Sequence, residues 1–73
     1  MIYRISEEGL LRYNDEKFAD RHRVILGVLM GLDSSWTTGT AIDEVMGALG
    51  LNKQDAFMDI QELGDHGLIE EAK

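Results

Sequence analysis

The chain has 73 residues, a formal net charge of −7 and no cysteine, which predicts one domain, 1–73, with a modest core, no disulfide and no thiolate-bound zinc. No apolar run approaches the roughly 20 residues of a membrane span, and Glu7 and Glu8 fall where a signal peptide needs apolar residues, so a cytoplasmic protein with no membrane partner is expected. The charge is unevenly placed: residues 1–23 balance five basic against five acidic groups, while residues 24–73 set Lys53 and Lys73 against nine carboxylates, an arrangement that repels nucleic acid and keeps a small protein soluble.

"MIYRIS" (1–6) is rich in β-branched and aromatic residues and predicts a short strand. Ser6 can N-cap a short helix, with Glu7 and Glu8 favourably placed in its first turn and Leu10, Leu11 and Tyr13 on an apolar side. Gly9 weakens that helix. Asn14 or Asp15 can cap the next helix, about 16–32. There Phe18, His22, Ile25, Leu29 and Leu32 form a continuous stripe at steps of three and four. "SWTT" (35–38) predicts a very short strand.

Thr40 and Asp43 suggest a capping box before a helix about 41–49, with Ile42, Val45, Met46 and Leu49 inward. Gly50 is placed as a left-handed C-terminal cap. Asn52 and Asp55 repeat the capping pattern for a helix about 53–65, with Ala56, Phe57, Ile60 and Leu63 inward. Gly67 closes it, and "LIEE" (68–71) predicts a strand.

The sum is a mainly α fold with a small β-sheet and three main helices. The tight connection "LGLN" (49–52) has helix-turn-helix chemistry: Gly50 reverses the chain and Leu51 fills the angle between the helices. With the apolar positions Ile42, Val45, Leu49, Ala56, Ile60 and Leu63 and the following "GLI" strand, the chain resembles the winged helix-turn-helix superfamily over roughly residues 15–71. The resemblance implies a wing strand after residues 68–71, and the chain ends too soon for one. Pairing of the N-terminal strand, residues 1–5, with the C-terminal strand, residues 68–71, is the expected replacement, with Trp36–Thr38 available as a third strand.

In such folds the second helix of the motif enters the major groove of DNA. The outward positions expected here are Lys53, Gln54, Asp55, Met58, Asp59, Gln61 and Glu62. Gln54 and Gln61 could read adenine, and Lys53 could meet phosphate or guanine. Duplex affinity rests mainly on phosphate neutralisation, however, and Lys53 stands against three carboxylates, Asp55, Asp59 and Glu62, among those outward positions. Arg12, Lys17, Arg21 and Arg23 lie elsewhere and read as a solvated, self-balanced face. Met58 is an apolar residue on a polar face and suits an adaptable protein contact. Trp36 reads as a lid over the core, with a partner-binding anchor as the alternative.

Ser34 and Ser35 have no recognisable base, and no glycine-rich phosphate loop is present. His22 falls on an apolar stripe and reads as a core or boundary residue. His66 reads as a favourable charge at a helix C-terminus. Two lone histidines, with no second ligand of a suitable type three or four residues away, suggest no metal site and no cofactor. The expectation is a non-enzymatic, winged-helix-like module making protein–protein contacts, through the acidic third helix, with a basic partner surface. A homodimer would be an ordinary way to add buried area. The alternatives are a DNA-binding transcription regulator, and a small acidic inhibitor, of the phage-encoded type, of a nucleic-acid-binding protein.

Overall fold

The computed structural model describes residues 1–15, 17 and 20–72. The elements run β1 (Ile2–Ile5), α1 (Glu7–Asn14), α2 (Arg21–Met30), β2 (Trp36–Thr37), α3 (Thr38–Leu49), α4 (Lys53–Asp65) and β3 (Ile69–Glu71). The fold is mainly helical, with a small antiparallel sheet of order β2-β1-β3. Among the described residues no helix is long and apolar enough to cross a membrane.

The strand nearest the N-terminus is the centre of the sheet. Tyr3, Arg4 and Ile5 face Glu71, Glu70 and Ile69, so the expected pairing of the two chain ends is present. Ile2 and Tyr3 face Thr37 and Trp36 on the other side. Cross-strand pairs hold the register. The Arg4 guanidinium meets Glu70 Oε2 at 2.7 Å, and the rings of Tyr3 and Trp36 stack with centroids 6.4 Å apart. Trp36 is buried and serves the core as a lid; the alternative role of partner anchor has no exposed ring to carry it.

Each of the helices α1 to α4 begins at a side-chain cap. Ser6, Asp20, Thr37 and Asn52 accept the amide protons of Gly9, Arg23, Thr40 and Asp55, three residues on. These bonds satisfy amides that have no partner inside the helix. Two of the caps correct the sequence expectation. Asp20, not Asn14 or Asp15, starts α2, and a separate α1 ends at Asn14. Thr37, not Thr40, caps α3, because its hydroxyl sits three residues before the Thr40 amide. The position expected for Phe18 lies outside the described residues.

Gly50 and Gly67 end α3 and α4 at φ of 66° and 72°, the left-handed region glycine enters without a Cβ penalty. After α4 the Leu68 amide reaches back to the Leu63 carbonyl, and the Gly67 amide to that of Gly64. This paired closure turns the chain sharply into β3. The chain also breaks at residues 50–52 between α3 and α4, as the glycine predicts, and these two helices form the most extensively packed pair of elements.

The core is shared by α2 (Ile25, Leu26, Leu29), α3 (Ala41, Ile42, Val45) and α4 (Ala56, Ile60, Leu63), closed by Trp36, Leu68 and Ile69. Leu49 and Leu51 are half-buried against it. Phe57, expected inward beside Ile60, is 46% exposed. Adjacent helical positions differ by about 100° in direction, so Ala56 and Ile60, four apart, share the buried face and Phe57 rotates off it.

Candidate functional site on the fourth helix

Asn52 fixes the start of α4, and the buried row Ala56, Ile60 and Leu63 fixes its rotation. Outward positions are therefore determined by the core. Lys53, Gln54, Asp55, Met58, Gln61 and Glu62 are exposed, as expected. Met58 is 57% exposed, a large apolar side chain surrounded by polar ones.

Asp59 departs from the expectation. It is 9% exposed and held by Arg21 of α2 in a two-pronged contact: Nε donates to Oδ1 at 3.1 Å and Nη2 to Oδ2 at 2.7 Å. A long, planar guanidinium on the neighbouring helix covers the carboxylate, which a single-helix projection cannot show. The hydrogen bond and then the charge of Asp59 push the Arg21 pKa above its ordinary value, with smaller help from Asp55 and Glu62.

Around this pair lies a shallow depression of about 440 Å³ lined by Arg21, Asp55, Met58, Asp59, Gln61, Glu62 and Asp65. Four carboxylates and one guanidinium line it. Since Arg21 is committed to Asp59, the remaining carboxylates dominate the field of the depression. Beside it, Phe57 joins Ile60, Gly64, Ile69 and Tyr3 in a more apolar groove of about 360 Å³.

The Arg23 Nε donates to the Tyr13 carbonyl at 2.8 Å, and its guanidinium stands 5.5 Å from the centre of the Tyr13 ring. Lys17 is exposed and its backbone amide binds Asp15 Oδ1.

No protein-family model, curated protein or solved structure is significantly similar to this chain. What the site can do therefore rests on its own geometry.

At the far end of α4 the structure brings together groups that looked isolated in the sequence. His22 of α2, Glu62 of α4 and His66, the C-terminal cap of α4, each offer a ligand atom, all within 4.8 Å of one another. His22 Nε2 lies 2.9 Å from Glu62 Oε1, and His66 Nε2 lies 3.8 Å from the same oxygen. Part of this was visible in the chain: Glu62 and His66 are four apart, the spacing that puts two side chains on one helical face. The i,i+4 partner of His66 is thus the carboxylate Glu62, and the crossing of α2 over α4 adds His22 as the third group.

Proposed function

We propose that the protein is a winged-helix-like binding module that holds a basic protein partner against the exposed face of α4. One observation carries the reading: the outward face at Asp55, Met58, Gln61, Glu62 and Asp65 is acidic around an exposed methionine, and the nearest guanidinium is already bound to Asp59. Affinity for duplex DNA depends on neutralising phosphates, and carboxylates facing phosphates add repulsion. A basic protein surface meets the opposite field and is steered toward this face. Met58 then supplies the apolar contact that long-range charge cannot.

The helix–tight turn–helix at 38–65, followed by β3, supports the winged-helix-like reading of the scaffold. Residues 1–5, paired with β3, stand where a returning wing strand is expected. The acidic face also suits an inhibitor, since it offers a nucleic-acid-binding protein the sign of charge that phosphates would. The module reading covers that case, with the basic partner's own surface as the target.

A fluorescence anisotropy titration against duplex fragments at two salt concentrations separates this reading from a transcription regulator. The expected result is no binding tighter than about 10 μM at physiological salt, within the ordinary non-specific range. Tight, sequence-selective binding would promote the regulator reading instead.

A further inference from the structure

We propose that His22, Glu62 and His66 form a binding site for a zinc-class divalent cation at the junction of α2 with the C-terminal end of α4. The ligand atoms come from two helices far apart in sequence and converge within 4.8 Å. Zinc bonds of about 2.0–2.2 Å in tetrahedral array place neighbouring donor atoms about 3.3 Å apart. The observed separations from Glu62 Oε1, 2.9 Å to His22 Nε2 and 3.8 Å to His66 Nε2, bracket that value. The set as a whole spans up to 4.8 Å, and the exposed His66 and Glu62 side chains would have to rotate inward to close it. The backbone beneath them is firm, because the His66 amide donates to the Glu62 carbonyl at 3.0 Å and keeps the helical spacing.

The state of His22 supplies a second, independent observation. With Nε2 as the donor to a Glu62 carboxylate, a neutral ring would carry a lone pair on Nδ1. That Nδ1 is shielded from solvent and has no hydrogen-bond partner among the described residues. Asp20 Oδ2, itself an acceptor, lies 3.9 Å away. A metal on Nε2 reverses the mismatch. The ring proton would then sit on Nδ1, on the side of Asp20 Oδ2, and a closer approach of that carboxylate would give the orienting contact that metal-bound histidines usually have.

Two imidazoles and a carboxylate suit zinc and its first-row neighbours better than calcium or magnesium, which prefer all-oxygen sites. Three protein ligands leave the fourth tetrahedral position to water. The bound ion would clamp α2 to the end of α4, close to the Arg21–Asp59 pair that already joins the same two helices.

The test is a calorimetric titration of the full chain with zinc alone, paired with thermal melts and with Co²⁺ absorption as a geometry probe. The variants are His66→Gln, His22→Gln and, as a surface-carboxylate control, Asp43→Asn. His66→Gln is the main variant because the exposed ring can be replaced without disturbing the core. We expect one equivalent per chain, a rise in melting temperature with zinc, and tetrahedral-type visible bands with Co²⁺. His66→Gln and His22→Gln should weaken binding at least tenfold and abolish the thermal shift, while Asp43→Asn should change neither. Zinc binding and thermal shifts that are equal in the wild type and the folded His66→Gln variant would overturn the site, as would no saturable binding by the wild type.

Discussion

The Ser6 hydroxyl donates to the carbonyl of Gly67, joining positions 61 residues apart. The same oxygen accepts the Gly9 amide at 3.0 Å, and the Ser6 amide donates to Leu68 at 3.0 Å. One buried residue thus caps α1 and fastens the end of β1 to the turn after α4. Replacing Ser6 by Ala removes the cap and takes the hydroxyl donor away from the part-buried contact with the Gly67 carbonyl. The expected cost is about 1–3 kcal/mol, measured by chemical denaturation. Wild-type stability in that variant would show that the contact is incidental.

Gly9 packs against the same turn. A Cβ at this position would overlap the Leu68 carbonyl oxygen and come within 2.8 Å of Ile5 Cγ2. Gly→Ala in a helix ordinarily stabilises by up to about 1 kcal/mol. Here the sign reverses, because backbone must move: Gly9→Ala should destabilise by about 1–3 kcal/mol. Gly47, inside α3, is the matched control: a Cβ there would meet nothing within 4 Å, and Gly47→Ala should stabilise. Denaturation midpoints of the two variants that move in the same direction would contradict the packing described.

Ile60 is 4% exposed and lies in the core with Val45 and Leu29. Ile60→Ala should cost about 2–5 kcal/mol, through lost apolar burial and a residual cavity. Phe57→Ala, at an exposed position three residues earlier, should cost clearly less. Equal losses in thermal melts would mean that the helix is rotated from the orientation found here.

The Arg21–Asp59 pair joins α2 to α4 with unequal exposure: the Arg21 side chain is half-exposed, whereas that of Asp59 is 12% exposed. Removing the guanidinium leaves Asp59 without its counter-charge in a depression lined by Asp55, Glu62 and Asp65, and removing both groups does not. Arg21→Ala should therefore be less stable than the Arg21→Ala/Asp59→Ala double variant. A double-mutant cycle measures the difference. A single variant as stable as wild type would show that the pair is ornamental.

Much of the fold was legible in the chain because its signals are local. Ser6 and Asn52 announced two helix starts, Gly50 and Gly67 two ends, and the strand pairing of residues 1–5 with 68–71 followed from the winged-helix resemblance, which calls for a strand beside residues 68–71. The misplaced elements share a cause. Thr40 and Asn14 are good capping residues that lost to neighbours, Thr37 and Asp20, whose hydroxyl or carboxylate lay at the right distance from the helix entry. The burial of Asp59 and the convergence of His22 on Glu62 and His66 depend on how α2 crosses α4. No periodicity within either helix contains that information.

The central claim, that the exposed face of α4 meets a basic protein, is tested most directly by site-specific photo-cross-linking. A photoreactive phenylalanine analogue replaces Met58, and in a control Met30 on α2, and the cells in which the protein naturally acts are irradiated. Adducts are then resolved for both protein and nucleic acid. The expected result is one discrete adduct with a protein bearing a basic surface, formed from position 58 and not from position 30. It should diminish when Asp55 and Asp65 are changed to Lys, with Glu62 left intact so that the proposed cation site is undisturbed. A nucleic-acid adduct from position 58, or a protein adduct insensitive to those charge reversals, would contradict the account.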